Sequence, residues 1–188
     1  GKRPAHFRGA DHPIERVSWL DALRFCNRLS KLAGLEPFVR LTRKSLYLQD
    51  EPAGFRLPTE AEWTLGAGAG ASFAYSGSDA LVDVAWCDDN SGRSTHPVGR
   101  KRANGWGLHD LSGNVWEWCW DPWRPLGQAQ GVRPDRLDRV DRADEPRRVC
   151  KGGSWRDGPI QLRIDARMQQ GRDVLIPDLG FRIACYAW

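Results

Sequence analysis

The most informative segment of this sequence reads Gly107-Leu-His-Asp-Leu-Ser-Gly-Asn-Val-Trp-Glu-Trp118. Two carboxylates, Asp110 and Glu117, lie on either side of a Ser-Gly-Asn turn whose backbone carbonyl groups could face inward. Carboxylate and carbonyl oxygens are the ligands that Ca²⁺ prefers. A simpler interpretation is that Asp110 and Asn114 only hydrogen-bond the turn, while the alternating tryptophans up to Trp120 share one face of a strand. The spacing by itself favours this simpler interpretation.

Two other segments have the caps and the spacing of helices. Ser18 with Asp21 three residues later caps an N-terminus, and apolar residues follow at helical spacing until Gly34. Thr59 with Glu62 forms a capping box for a shorter helix, which a run of glycines ends. We therefore predict an α+β fold with two helices, short strands and long loops in a single domain over 1–188. The predicted strands are short apolar runs between turn residues, at 81–87, 106–111, 114–120, 148–155 and 179–187.

The composition is that of a soluble globular protein. Lys+Arg 28 against Asp+Glu 24 gives a net charge of +4, and the two signs are mixed along the chain, which argues against nucleic acid as a partner. No apolar run approaches ~18 residues and the start of the chain contains no apolar signal core, so we expect no membrane insertion and a cytoplasmic location. The 10 Trp are several times the average usage, which predicts a core built around indole rings.

Nothing in the sequence points to zinc, phosphate or Ser-His-Asp chemistry. The five cysteines are far apart and include no Cys-x-x-Cys pair, and the four histidines are scattered. The glycine-rich stretch 66–70 follows a helix and lacks the Lys-Ser/Thr pair of a phosphate-binding loop. Mostly reduced thiols are the expectation.

Five ordered motifs resemble those of the formylglycine-generating enzyme family. They are Pro13-Ile-Glu-Arg-Val-Ser-Trp19, Gly54-Phe-Arg-Leu-Pro-Thr-Glu-Ala-Glu-Trp63, the stretch 107–118, Lys151-Gly-Gly-Ser-Trp155 and Gly180-Phe-Arg182. The resemblance spans almost the whole chain and implies a C-type-lectin-like fold with little regular structure. It also implies a structural Ca²⁺ bound through Asp110, Gly113, Val115 and Glu117.

One departure from the family pattern bears on activity. Members that make formylglycine carry two cysteines just after the Gly-Gly-Ser-aromatic motif, and these bind copper and attack the substrate cysteine. The matching positions here hold Asp157 and Leu162. Neither a carboxylate nor an aliphatic side chain replaces a thiolate ligand, so we expect no copper and no enzymatic activity. The alternative is a formylglycine-generating or sulfoxide-synthase-like oxidase that uses other residues.

The chain most resembles the variable proteins of diversity-generating retroelements, which use the same fold without catalysis. In those proteins the stretch between the Gly-Gly-Ser-Trp and Gly-Phe-Arg motifs is diversified for ligand binding, which implies a diversified segment at 155–180 here. This stretch mixes apolar and polar side chains, as binding surfaces do. We therefore predict a non-enzymatic protein that binds a protein or another macromolecule.

The predicted ligand-binding residues are Arg156, Asp157, Ile160, Gln161, Ile164, Met168, Gln170, Val174 and Ile176. Most of them are expected to expose their side chains on one contiguous face, with Trp116, Trp118 and Trp155 packed beneath. The alternative is that the aliphatic members belong to the core.

Overall fold

The computed structural model describes residues 4–41, 46–48, 53–125 and 147–185. Most of these residues lie outside regular secondary structure, as the long loops in the sequence predict. The elements are α1 (Trp19–Leu32), β1 (Val39–Leu41), β2 (Leu46–Leu48), α2 (Glu60–Gly68), α3 (Leu81–Val84), β3 (Trp116–Pro122), β4 (Arg147–Lys151), β5 (Met168–Gly171) and β6 (Leu179–Gly180).

A four-stranded sheet in the order β5-β4-β3-β6 organises the fold. β4 runs antiparallel to β3 and to β5, whereas β6 runs parallel to β3. β1 and β2 form a separate antiparallel pair. The chain between β4 and β6 therefore starts near the middle of the sheet, forms one edge strand and ends in the other edge strand. The predicted diversified segment, 155–180, includes both edge strands.

Indole rings dominate the core on one face of this sheet. Trp19 of α1 donates its indole N–H to the carbonyl of Cys119 at 2.9 Å, and Trp118 donates to the carbonyl of Val17 at 2.9 Å. The indole N–H groups of these buried rings therefore have hydrogen-bond acceptors, as buried polar groups require. The main core includes Trp19, Leu23, Phe38, Leu57, Trp116, Trp118, Trp120 and Leu179.

A smaller core lies on the opposite face of β3, where Trp63 and Ala67 of α2 pack with Leu111, Cys119 and Val149. Because both faces are covered, β3 is buried along almost its whole length. This strand contains the last residues of the stretch 107–118, so the predicted turn leads directly into a buried strand.

Both predicted helices begin where their caps indicate. The Ser18 Oγ accepts the backbone N–H of Asp21 at 3.1 Å, and the Thr59 Oγ1 accepts that of Glu62 at 3.2 Å. Such caps satisfy backbone donors that have no partner inside the helix. Within the described part of the chain, no helix is both long and apolar enough to cross a lipid bilayer.

Two of the predicted strands are wrong. The run 81–87 begins with the short helix α3, because Val84 and Ala85 face inward while Val82 is 64% exposed, a spacing that a strand cannot produce. The run 106–111 is a turn, because Gly107 has a φ of 76° and the Asn104 side chain accepts the backbone N–H groups of positions 106 and 108.

The other three predicted strands exist with different limits. β3 and β4 fall within or next to the runs 114–120 and 148–155, and β6 is only the start of the run 179–187, whose last two residues lie outside the described part of the chain. The sequence did not predict β1, β2 or β5.

Candidate functional site

The predicted ligand-binding residues lie on the segment between β4 and β6. Arg156, Ile160 and Gln161 are exposed, and the Ile160 side chain reaches 75% exposure. None of the predicted residues is fully buried. The remaining six are half-buried: Asp157, Ile164, Met168, Gln170, Val174 and Ile176.

The half-buried aliphatic residues also contribute to the cores. Met168, Val174 and Ile176 pack against the main core, and Ile164 packs against the smaller one. Gln170 belongs to β5, where it pairs with Arg148 of β4. The expectation that most of these side chains are exposed is therefore wrong, because β5 and the loops on both sides of it pack aliphatic side chains against the two cores.

The three tryptophans predicted to lie beneath this face are placed differently. Trp116 and Trp118 are buried. Trp155 is half-buried, with its ring edge-on to Phe7 at a centroid distance of 5.5 Å and its indole N–H 3.3 Å from the carbonyl of Pro177. Trp155 is thus the indole that stays partly accessible beside the segment.

The two positions that match the family's cysteines have structural roles. The Asp157 Oδ2 accepts the Trp116 indole N–H at 2.8 Å and the Ser154 backbone N–H at 3.0 Å, and it also contacts the Ser154 hydroxyl. The Leu162 side chain is fully buried and packs with Ala85 and Cys87. One position therefore fastens a turn to β3, and the other fills a small core.

Three of the five cysteine thiols have raised pKa values because they are buried. Cys26, Cys87, Cys119 and Cys150 are buried, and Cys185 is the exposed cysteine of the described residues. Burial raises the pKa of the Cys26 thiol to about 12 and the pKa values of Cys119 and Cys150 well above their usual range. Because the thiolate is the form that binds metal, burial disfavours a copper site at these three residues.

An ion pair within the segment 155–180 was not predicted from the sequence. The Arg156 guanidinium lies 2.7 Å from the Oδ2 of Asp178, whose side chain is 3% exposed. Burial raises the pKa of the Asp178 carboxyl, and the nearby Arg156 charge opposes that shift. The Oδ1 of Asp178 has no hydrogen-bond partner among the described residues. The position of Asp178 immediately before β6 offered no signal of this role.

A second, separate group of acidic residues lies at the turn 110–117. The Glu117 carboxylate accepts two hydrogen bonds from Arg182, at 2.5 and 2.7 Å, and one from the Trp63 indole at 2.6 Å. Glu117 is nearly buried, so Arg182 serves as its resident counter-ion. The sequence placed Glu117 at the turn but did not predict this partner.

Asp110, unlike Glu117, has a carboxylate oxygen without a hydrogen-bond partner among the described residues. Its Oδ2 accepts the backbone N–H of Gly99 at 2.7 Å, whereas its Oδ1 is buried without a hydrogen-bond partner among the described residues. Burial raises the pKa of Asp110, the hydrogen bond from Gly99 opposes that shift, and the charge of Glu117 adds to it. Both carboxylates line an open cavity of about 350 Å³. The polar side chains of His109, Asn114 and Arg182 and the apolar side chains of Pro13, Ile14, Val98, Val115 and Phe181 also line it.

The predicted calcium ligands meet the needs of the ion in part. The free Oδ1 of Asp110 and the adjoining cavity suit a cation, but Ca²⁺ takes about six to eight oxygens, and both oxygens of Glu117 are already engaged. The Asn114 and Asp110 side chains accept the backbone N–H groups of His96 and Gly99, so they are hydrogen-bonded, as in the simpler interpretation, but to the loop at 96–99 rather than to the turn itself. Calcium binding through Asp110, Gly113, Val115 and Glu117 stays a prediction.

Comparison with known proteins places these features in a family. A family model described as the sulfatase-modifying factor enzyme 1-like domain matches residues 1–187. Chaperone protein LppX of Paenibacillus barcinonensis is 29% identical over 97% of this chain and 73% of its own length. The formylglycine-generating enzyme of Streptomyces coelicolor is 32% identical over 93% of this chain, which spans 52% of that enzyme. The chain thus spans about half the length of that enzyme.

Solved structures give the same fold. Treponema denticola variable protein 1 has a TM-score of 0.86 and 33% sequence identity, covering 98% of this chain and 78% of that one. CarF has a TM-score of 0.75 and 26% identity, covering 95% and 70%. The predicted α+β, C-type-lectin-like fold is confirmed.

Proposed function

The chain belongs to the sulfatase-modifying factor enzyme 1-like domain family, and we propose that it is a non-enzymatic, ligand-binding member of it. In this proposal it is a variable protein of a diversity-generating retroelement, which presents the segment 155–180 to a protein or another macromolecule. The similarity to Treponema denticola variable protein 1 supports this assignment.

The observation that carries the proposal is the state of the two positions where the family's enzymes have cysteines. Asp157 is engaged by Trp116 and Ser154, and Leu162 is fully buried. The Asp157 Oδ2 accepts hydrogen bonds from β3 and from its own turn, so this oxygen is not free to act as a nucleophile. Asp157 and Leu162 therefore stabilise the local structure of the segment and offer no catalytic group at these two positions.

The exposed part of the segment supports binding. Ile160 presents a large apolar side chain to solvent beside the polar groups of Arg156 and Gln161, and Trp155 stays partly accessible. Buried anchors hold this surface in place, because Trp116 lies below it and β5 pairs with β4. Preformed surfaces of mixed polarity bind macromolecules with little loss of conformational entropy.

We predict that the protein does not convert a cysteine-containing sulfatase-motif peptide to the aldehyde, even with added copper and oxygen. Mass spectrometry should show an unchanged peptide mass, because the thiolate pair that the chemistry requires is missing at positions 157 and 162. An active formylglycine-generating enzyme in the same assay is the positive control. Conversion of the peptide would replace the binding proposal with the oxidase alternative.

We also predict that the segment tolerates change where it is exposed. Ile160→Asn should alter the free energy of unfolding by less than about 0.5 kcal/mol, because Ile160 is mostly solvated. Leu162→Asn is the matched control two residues away, and it should cost roughly 2–5 kcal/mol because that side chain is fully buried. Urea unfolding measures both. If Ile160→Asn unfolds the protein, this part of the segment belongs to the core and the proposed binding surface is wrong.

A calcium ion at the turn 110–117 would stabilise the scaffold, because a ligand that binds only the folded state shifts the unfolding equilibrium. Added Ca²⁺ should raise the melting temperature and a chelator should lower it. Asp110→Asn should remove most of this response, since Asp110 offers the free oxygen. If neither Ca²⁺ nor the chelator changes the melting temperature, the side chains at the turn 110–117 serve only as hydrogen-bonding groups and the calcium prediction is wrong.

A further inference from the structure

Two stretches of the chain without a charged residue lie side by side. The stretch 63–78 contains no charged side chain, although 28% of the residues of the chain are charged, and the stretch 103–108 contains none either. Asn104 joins the two, because its Nδ2 donates to the carbonyl of Gly66 at 2.7 Å and to the hydroxyl of Ser76 at 3.1 Å. Together the two stretches form one uncharged face.

Large apolar side chains of this uncharged face are exposed to solvent. Leu65 is 62% exposed, Trp106 is 55% exposed and Leu108 is 37% exposed. Leu65 and Leu108 are neighbours, because a Cβ atom added at Gly66 would lie 3.4 Å from the Leu108 Cδ1. The other tryptophans of the described residues are buried or half-buried, so the exposure of Trp106 is unusual for this chain. Grouped exposed apolar side chains indicate an interaction surface.

The loop that carries Trp106 is fixed by buried hydrogen bonds. Asn104 is 7% exposed, and its Oδ1 accepts the backbone N–H groups of Trp106 at 3.0 Å and of Leu108 at 3.1 Å. The backbone N–H of Gly107 donates to the carbonyl of Asn104 at 3.0 Å. The Trp106 indole is therefore presented by a hydrogen-bonded loop, which reduces the entropy that binding costs.

A basic stretch borders the uncharged face. Residues 90–109 contain four basic residues and no acidic one, so this stretch carries a formal charge equal to the +4 of the whole chain. Arg102, in this stretch, donates to the carbonyl of Gly77 at 2.9 Å, which places its positive charge beside the uncharged face. The face thus combines an apolar centre with a basic edge.

Acidic side chains offset this basic edge only in part. Asp83 lies 3.8 Å from Arg102, and Asp79 accepts a backbone N–H nearby. Arg100 is exposed, and among the described residues no carboxylate forms an ion pair with Arg100 or Lys101. The Lys101 ammonium instead contacts a backbone carbonyl and an indole ring, which leave its charge in place.

We propose that the uncharged face docks on the surface of a lipid bilayer that carries anionic lipids. Tryptophan and leucine side chains favour the boundary between headgroups and acyl chains, and basic side chains beside them attract anionic headgroups. A second copy of the chain fits this face less well, because a symmetric contact would bring the basic edges of both copies together. Such docking requires no spanning helix. It is also independent of the proposed role of the segment 155–180, which shares no residue with this face.

Vesicle sedimentation tests the proposal. The whole chain is mixed at about 0.15 M salt with vesicles of about one third phosphatidylserine and two thirds phosphatidylcholine, and separately with vesicles of phosphatidylcholine alone. The protein should bind the anionic vesicles at least about fivefold more tightly, since each basic side chain near an anionic surface contributes about that factor. Equal binding to both kinds of vesicle, or binding to neither, would overturn the proposal.

Variants of the apolar side chains locate the contact. Trp106→Ala should weaken binding to the anionic vesicles about tenfold, because removal of one large apolar side chain from water is worth at least that factor. Leu65→Ala should weaken it several-fold, whereas Leu32→Ala, which removes a 78% exposed leucine from α1, is the matched control and should change it little. These side chains are exposed, so all three variants should fold. If Leu65→Ala and Leu32→Ala bind equally well, the proposed face is wrong.

Variants of the basic side chains separate local from overall charge. Arg100→Gln should weaken binding to the anionic vesicles about fivefold. Arg24→Gln removes the same charge from α1, where Arg24 is 63% exposed, and should have little effect. Equal effects of the two variants would show that net charge alone attracts the vesicles, which contradicts the proposal.

Sedimentation velocity without lipid tests the competing occupant. The chain should be a monomer, because the uncharged face is reserved for lipid. A dimer that Trp106→Ala dissociates would show that a second copy covers the face, and the proposal would be wrong. The peptide-conversion assay judges the proposed function separately, since it does not depend on Trp106 or Arg100.

Discussion

Gly113→Ala is expected to destabilise the protein by about 2–5 kcal/mol, the combined cost of a left-handed backbone and an overpacked contact. Gly113 has a φ of +84°, and an added Cβ would lie 2.3 Å from the carbonyl oxygen of Trp86. That carbonyl cannot easily move, because it accepts the backbone N–H of Asn114 at 2.8 Å. Urea unfolding monitored by tryptophan fluorescence measures the loss.

Gly107→Ala is the control for this prediction, because Gly107 lies in the same stretch of sequence. Its φ is +76°, but nothing lies within 4 Å of an added Cβ. Only the backbone cost remains, so the loss should be about 1–2 kcal/mol. Equal losses for the two variants would contradict the idea that close approach to Trp86 is the reason for glycine at position 113.

The helices could be predicted from the sequence because their signals are local. Ser18 with Asp21 and Thr59 with Glu62 are three residues apart, and the hydrogen bonds that they predict are present. The predicted strands were less accurate because short apolar runs do not distinguish a strand from a turn or a helical turn. In the run 106–111 the deciding contacts come from the side chain of Asn104, which lies outside the run.

The candidate site shows the same limit more clearly. The sequence predicts sites at the segment 155–180 and at the turn 110–117, but it does not predict which residues form ion pairs with the charged side chains there. Arg182 lies 65 residues from Glu117. Asp178 follows Arg156 by more than twenty residues, and a sequence pattern gives no reason to join them. The half-burial of Met168 likewise depends on the pairing of β5 with β4, which only the folded chain defines.

Ion pairs of this chain differ widely in burial, and their contributions to stability should differ accordingly. Glu117 is 7% exposed and Arg182 is 26% exposed, with two hydrogen bonds between them. Removing one partner of such a pair leaves a buried charge without compensation, and also leaves the Trp63 indole N–H without its acceptor. Glu117→Ala should therefore lower the free energy of unfolding by about 3–5 kcal/mol.

The exposed pair between Arg24 and Asp21 provides the control. These side chains are 63% and 48% exposed, so Arg24→Ala should cost at most about 1 kcal/mol. If Glu117→Ala lowers the free energy of unfolding by no more than Arg24→Ala does, solvent already screens the charges of the Glu117–Arg182 pair.

Arg182→Ala tests the predicted cation in a second way, because it removes the counter-ion of Glu117. The Glu117 Oε1 then becomes free near the unpartnered Oδ1 of Asp110, while the Glu117 Oε2 keeps only the Trp63 indole N–H. The two carboxylates then repel each other without a counter-ion, so the variant should be less stable than the parent. Added Ca²⁺ should restore part of that stability and raise the melting temperature of this variant more than that of the parent. Magnesium is the comparison, because it demands tighter octahedral geometry and should rescue less. If neither ion has any effect on Arg182→Ala, the carboxylates at this turn serve Arg182 alone and the calcium prediction is wrong.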